Sequence, residues 1–389
     1  MIFFSDLSPK DRKRIFFKEP SEITKATSKE YLSFALGATL YIPAIKEGIA
    51  DIILDNKYKR LTSIVICLED SIPEDKVQEA EENMVKILTE VNKALETKKH
   101  KEAELPLIFI RVRNTEQFNK LLEKKQLFYN ITGFCFPKFN SDNGQEYMDI
   151  LSKFNEEREL NLYAMPILET KGVAYKETRI EELIRIKQIL DQSKDVVLNI
   201  RIGGTDLLGL YSIRRQMENS IYDIGVIRDC ISDIINIFGR AEEEYIISGP
   251  VWEYFNGNPG NRILKPQLRE KPFFEHLGQG GLKKREYYLE KCIDGLIKEV
   301  VLDKANGLIG KTIIHPTHIS IVNGLYVVTK EEYEDASAII EAEARGAYKS
   351  RYNNKMNEEN PHNNWAKKVL KRAYVYGVFN EELNCVDLF

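Results

Sequence analysis

The chain has 389 residues, 43% apolar and 30% charged, which is enough for one large core or for a barrel with an appended segment. Its 56 basic and 60 acidic side chains leave a formal charge of −4, so no global field draws it to nucleic acid or to an anionic membrane surface, and small molecules are the expected partners. Five cysteines (Cys67, Cys135, Cys230, Cys292 and Cys385) are odd in number and widely spaced with no CxxC pair, which argues against a thiolate zinc or redox site and fits a reducing compartment.

The amino-terminal stretch MIFFSDLSPKDRKR becomes charged after four residues, too soon for a signal peptide, and no apolar run reaches the length a bilayer requires. A cytoplasmic protein is the expectation. After a segment covering 1–30, short apolar, β-branched or aromatic runs alternate with longer amphipathic stretches over 31–325. Eight runs are predicted as strands: Phe34 to Ile42, Ser63 to Leu68, Leu107 to Val112, Ile131 to Phe136, Leu162 to Leu168, Val196 to Ile202, Tyr245 to Ile247 and Ile309 to Ile314. Between them, EDKVQEAEENMVKILTEVNKAL and RIEELIRIKQIL carry apolar residues at three- and four-residue spacing with Glu–Lys neighbours, the pattern of amphipathic helices. Strands buried on both faces and separated by helices imply a parallel sheet, and eight repeats close into an α/β (β/α)8 barrel.

Two stretches break the rhythm. Residues 249–281 concentrate Pro, Gly and aromatics after the seventh strand, where a barrel's substrate loops belong, so they are expected to form an active-site insertion. Trp252, Tyr254, Phe255, Phe273 and Phe274 would cover a ligand, or form a satellite core, and Arg262 and Arg269 would meet an anionic group. Residues 326–389 form a helical extension in which Ile339, Ile340, Trp365, Val369 and Leu370 need a partner surface, pointing to a homo-oligomer.

Barrel chemistry sits at the carboxyl ends of the strands. There the sequence places Glu69 and Asp70, then Arg111, Arg113 and Asn114, then Lys138, Glu169 and Thr170, and lastly Gly203, Gly204, Thr205 and Asp206. A charge after an apolar run is commonplace; five in register are not. Glu169 and Asp206, on adjacent strands, would hold a hard cation such as Mg2+ or Mn2+ and leave most positions to water and substrate oxygens. Spacing alone equally allows Glu169 to cap a helix and Asp206 to pair with an arginine. Arg111 and Arg113 alternate along one strand and would share a face, from which a guanidinium could clamp a carboxylate or an enolate oxygen.

Other motifs are set aside. GLIGKT (Gly307 to Thr312) has Ala305 where a phosphate loop needs Gly and runs on into IIHP rather than a helix. His315 and His318 lack a third ligand nearby, and Asn130-Ile-Thr132 is irrelevant as a glycosylation triplet in the cytoplasm.

With these residues in hand, the sequence resembles the HpcH/HpaI aldolase and citrate lyase beta-subunit family, built on the phosphoenolpyruvate-mutase-like barrel. The resemblance lies in Leu68-Glu69-Asp70-Ser71-Ile72-Pro73 with Lys76, Arg111-Val112, Pro137-Lys138, Leu168-Glu169-Thr170, Gly204-Thr205-Asp206-Leu207, and Gly310-Lys311 through Ile314-His315-Pro316, in that order. The long tail and extra loop look closer still to its tellurite-resistance-associated branch. The resemblance implies a carbon–carbon lyase in which Glu169 and Asp206 bind Mg2+. Arg111 then contacts keto-acid or enolate oxygens, aided by Arg113, Lys138, Gly204 and Thr205, and Glu69 or Asp70 serves as acid/base. It also implies a tail lying over a neighbouring subunit's site. Cys67, Arg113 and Ala44 stand where the family has Asp, Asn and Gly, which puts a CoA thioester in question. The rivals are a Schiff base on Lys138, a phosphoenolpyruvate-type phosphotransferase and a non-catalytic binding module.

Overall fold

Eight short runs of inward- and outward-facing apolar side chains set the architecture of the chain, which a computed structural model describes over residues 1–255, 291–341 and 346–389. We number the barrel strands β1 Ala38–Pro43, β2 Ser63–Cys67, β3 Leu107–Arg111, β4 Gly133–Phe136, β5 Tyr163–Leu168, β6 Ile200–Ile202, β7 Ile247–Ser248 and β8 Lys311–Ile313. Successive strands pair in parallel, and β1 also pairs with β8. A parallel bridge between Gly249 and Lys311 joins β7 to β8 and closes the barrel. The (β/α)8 expectation holds.

Burial explains why these runs are strands. Ile64, Ile66, Ile108 and Ile110 are completely buried, and each such side chain contributes roughly 1.5–3 kcal/mol when removed from water. The helix Val77–Glu96 buries Ala80, Met84, Ile87, Leu88, Val91 and Ala94, one face at helical spacing.

Several strand ends differ from expectation for local reasons. β1 starts at Ala38 because Gly37 takes a left-handed conformation, φ 54°. β6 starts at Ile200 because Lys194–Val196 forms a 3-10 turn and Val197 makes only an isolated bridge to Ala164.

The ends of the chain form one layer on the amino side of the barrel rather than two separate pieces. Phe16–Lys18 pairs antiparallel with Val378–Phe379, Phe3 packs on Tyr376 with ring centroids 4.5 Å apart, and the Tyr376 hydroxyl donates to the carbonyl of Phe34 at 2.7 Å, just before β1. The tail helices Lys330–Glu341 and Glu359–Tyr376 pack on each other. Ile339 and Val369 are thereby buried within this chain, and Leu370 packs against the same cluster. Only Ile340 and Trp365 of the five expected contact residues stay exposed. The tail's apolar positions find most of their cover at home, on the side of the barrel opposite the mouth.

Candidate active site at the carboxyl end of the barrel

Glu169 follows β5 directly and is 4% exposed. The backbone N–H of Lys138, held at φ 49°, donates to its Oε1 at 2.9 Å. Gly203, just past β6, lies under the carboxylate: a Cβ there would sit 1.8 Å from Glu169 Oε2, so only glycine lets the side chain lie across the strand end. Asp206 comes from the first turn of the helix Gly204–Leu210 and hydrogen-bonds Glu169. Burial and the Asp206 carboxylate beside it push the Glu169 carboxyl up to about 8, and burial with Asp70 nearby raises that of Asp206. Two carboxyl groups in contact, one of them buried, favour a proton or a cation between them.

The second part of the site is a charge cluster. Arg111, the last residue of β3, directs Nη2 to Glu69 Oε2 at 2.8 Å and to Asp70 Oδ2 at 3.4 Å, while its Nε donates to Cys67 Sγ at 3.2 Å. Lys138 pairs with Glu69, with Asp70 at 2.9 Å, and more loosely with Asp206 at 3.9 Å. Burial and the bond with Asp70 hold the Glu69 carboxyl above its ordinary range. For Asp70 burial acts the same way, but its bonds with Glu69 and Lys138 outweigh it and the carboxyl is lowered. The ammonium of Lys138 is stabilised against its own desolvation by these two carboxylates, which raises its pKa.

Both parts open on a cavity of 840 Å3 whose wall includes Asp70, Arg111, Glu169, Gly204, Thr205 and Asp206. Thr205 also donates to Glu253 Oε1 at 3.2 Å. Arg113 is not brought there. β3 ends at Arg111, and beyond it the chain turns outward, so Arg113 pairs with Glu74 and donates to the carbonyls of Leu68 and Ile72. The shared-face expectation for the two arginines fails because the strand does not reach residue 113.

Sequence reasoning missed Arg201, Tyr41 and Thr312, which also line the cavity. A lone arginine inside the buried run Val196 to Ile202 was the available signal. Of the insertion, residues 256–281 lie outside the described residues, including Arg262, Arg269, Phe273 and Phe274. Trp252 is fully buried beneath Arg215, 4.8 Å from ring centroid to guanidinium, and the Tyr254 hydroxyl bonds to the Arg215 carbonyl. These two pack into the main core rather than over the cavity; Phe255 stays exposed and stacks on His315 at 4.5 Å. Lys311 of the GLIGKT run is wholly buried between Glu299 and Asp303, at 2.9 and 2.7 Å, and is not available to a phosphate.

The family model of carbon–carbon bond lyases of the TIM-barrel fold matches residues 30–378. The chain belongs to this family. Among solved structures, CitE from Mycobacterium tuberculosis, in complex with magnesium, acetoacetate and coenzyme A, is similar with a TM-score of 0.51 at 15% identity over 88% of this chain and 99% of that one. The Haloferax volcanii malate synthase magnesium/glyoxylate complex gives 0.49 at 11% identity over 74% of each chain. No curated protein sequence matches the lyase. Among its described residues no helix is long and apolar enough to cross a membrane.

Proposed function

We propose that this lyase makes or breaks a carbon–carbon bond beside the carbonyl of a 2-oxo or hydroxy acid, with Mg2+ or Mn2+ held by Glu169 and Asp206. The observation that carries the reading is the carboxyl pair of buried Glu169 and half-buried Asp206, whose mutual repulsion a divalent cation would relieve. Among the described residues no group of three or more His, Cys, Asp or Glu is placed to hold a metal. Two carboxylates with the remaining positions open are the donor set that Mg2+ accepts. The magnesium and acetoacetate of the CitE complex agree with this reading.

When bound, the cation supplies Lewis-acid stabilisation to the substrate's oxygens. The chain's own residues do the rest. Arg111 faces the cavity with part of its guanidinium held by Glu69, which orients it towards a developing enolate oxygen; one such contact is worth on the order of 3 kcal/mol in a dry site. Asp70, which lines the cavity, is the candidate acid/base group. Glu69, bonded to both Arg111 and Lys138, positions those two cations. A Schiff base on Lys138 is disfavoured, because a nucleophilic amine must shed the proton that Glu69 and Asp70 stabilise.

Calorimetry with Mg2+ and pyruvate tests the proposal. Wild type should bind one Mg2+ per chain and pyruvate only in its presence. Glu169→Gln and Asp206→Asn should each lose the metal, and Arg111→Lys should keep it while weakening pyruvate at least about tenfold. Unchanged Mg2+ affinity in both carboxamide variants refutes the site.

A further inference from the structure

The barrel interior holds a cation that this chemistry leaves unused. Arg201, at the centre of β6, is 1% exposed to solvent yet lines the cavity. Its Nη2 donates to Thr312 Oγ1 at 2.7 Å, its Nη1 reaches Thr39 Oγ1 only at 3.4 Å and the Met165 sulfur at 3.9 Å, and its Nε has no partner among the described residues. Every one of these acceptors is neutral. The nearest ionisable side chains do not supply an anion either: burial pushes the Cys135 thiol up to about 11 and raises the Tyr41 hydroxyl well above its ordinary range. The Tyr41 ring lies 5.5 Å from the guanidinium. Arg111 and Lys138, by contrast, are both satisfied by Glu69 and Asp70.

An unpaired guanidinium inside a barrel is costly to bury, and barrel interiors are ordinarily filled by branched apolar residues. Such a charge at the wall of a ligand cavity implies an anion that arrives with the ligand. The register gives its depth. Arg201 pairs with Ile167 on β5, two residues before Glu169, so at about 3.3 Å per residue it sits roughly 7 Å below the carboxylate pair, about the reach of a four- or five-carbon acid.

We propose that Arg201, with the Thr312 hydroxyl beside it, is the floor of the substrate site and binds a second carboxylate, so that the enzyme selects a dicarboxylic oxo acid over the monocarboxylic oxo acid of the same carbon number. The planar fork of arginine fits a carboxylate bidentately, and Ile167 of the cavity wall offers an apolar surface to the carbons between the two ends. The inference rests on the proposed placement of the oxo-acid end at Glu169 and Asp206.

The test uses pairs of equal carbon number that differ only in ending on a carboxylate or a methyl: oxaloacetate against 2-oxobutyrate, and 2-oxoglutarate against 2-oxopentanoate. Each is titrated with Mg2+ into wild type, Arg201→Gln, and Arg201→Met, which keeps the volume filled. Mg2+ affinity is measured first in every variant. Wild type should prefer the diacid of at least one pair by tenfold or more. Both variants should lose that preference through weaker diacid binding alone, with Mg2+ and monoacid affinities retained. No preference in wild type, a preference that survives both substitutions, or an equal loss for all four acids overturns the assignment of Arg201 while the metal reading stands. Failure of wild type to bind Mg2+ overturns the reading beneath it, and this inference with it.

Discussion

In the proposed site protons and metal compete for Glu169, and the competition has a size. With its carboxyl at about 8 in the metal-free protein, about 99% of molecules carry a proton there at pH 6 and about half do at pH 8. Mg2+ must displace that proton, so its apparent affinity should rise by about fifty-fold between pH 6 and pH 8. The same group sets a trend in metal-free stability. Its folded pKa lies above its unfolded one, so the stabilisation is fully present below the unfolded value of 4.5 and is lost as pH rises through about 8, a change on the order of 5 kcal/mol. Titration calorimetry in two buffers of different ionisation enthalpy should show close to one proton released per Mg2+ at pH 6 and about half a proton at pH 8. Urea unfolding without metal should weaken across the same interval, and Glu169→Gln should flatten the curve. Mg2+ affinity that is equal at pH 6 and pH 8 with no proton release would refute the reasoning.

Gly203→Ala places a methyl group where Glu169 Oε2 now lies; the displaced carboxylate should cost Mg2+ binding at least about tenfold, with circular dichroism unchanged. Lys311→Met removes the cation that Glu299 and Asp303 share in the interior, and should lower stability to urea by about 3–5 kcal/mol.

The strand-end charges were readable in the sequence because a barrel turns position into function: a carboxylate just after an apolar run lies at the mouth whatever its neighbours are. Glu169, Asp206 and Arg111 follow that rule and line the cavity. Arg113 illustrates its limit. Alternation holds only while the strand lasts, and nothing in Arg111-Val112-Arg113 shows that pairing stops at the first arginine. Arg201 went unread for the opposite reason. Attention to strand ends passes over a charge in mid-strand, and its neighbours Thr39 and Thr312 read as ordinary β-branched strand formers although their hydroxyls lie beside its guanidinium. In the tail, helices were legible from periodicity, but periodicity says only that a face is covered. Ile339 and Val369 are covered by their own chain.

The buried charges outside the barrel bear on the same site. Lys311 and Thr312 are consecutive in β8 and point to opposite sides, Lys311 outward to Glu299 and Asp303 and Thr312 inward to Arg201. Glu299 also pairs with Arg215, whose Nε donates to Glu253 at 2.7 Å, and Glu253 accepts from Thr205 at the mouth. One chain of ion pairs and hydrogen bonds therefore runs from the strand that holds the cavity floor to the short helix that carries Thr205 and Asp206. Charges buried this way contribute little net stability compared with apolar packing, but each constrains the geometry of its partners. The loops at a barrel mouth are otherwise free to vary, whereas a lyase that grips both ends of a small acid needs floor and rim held at a set separation.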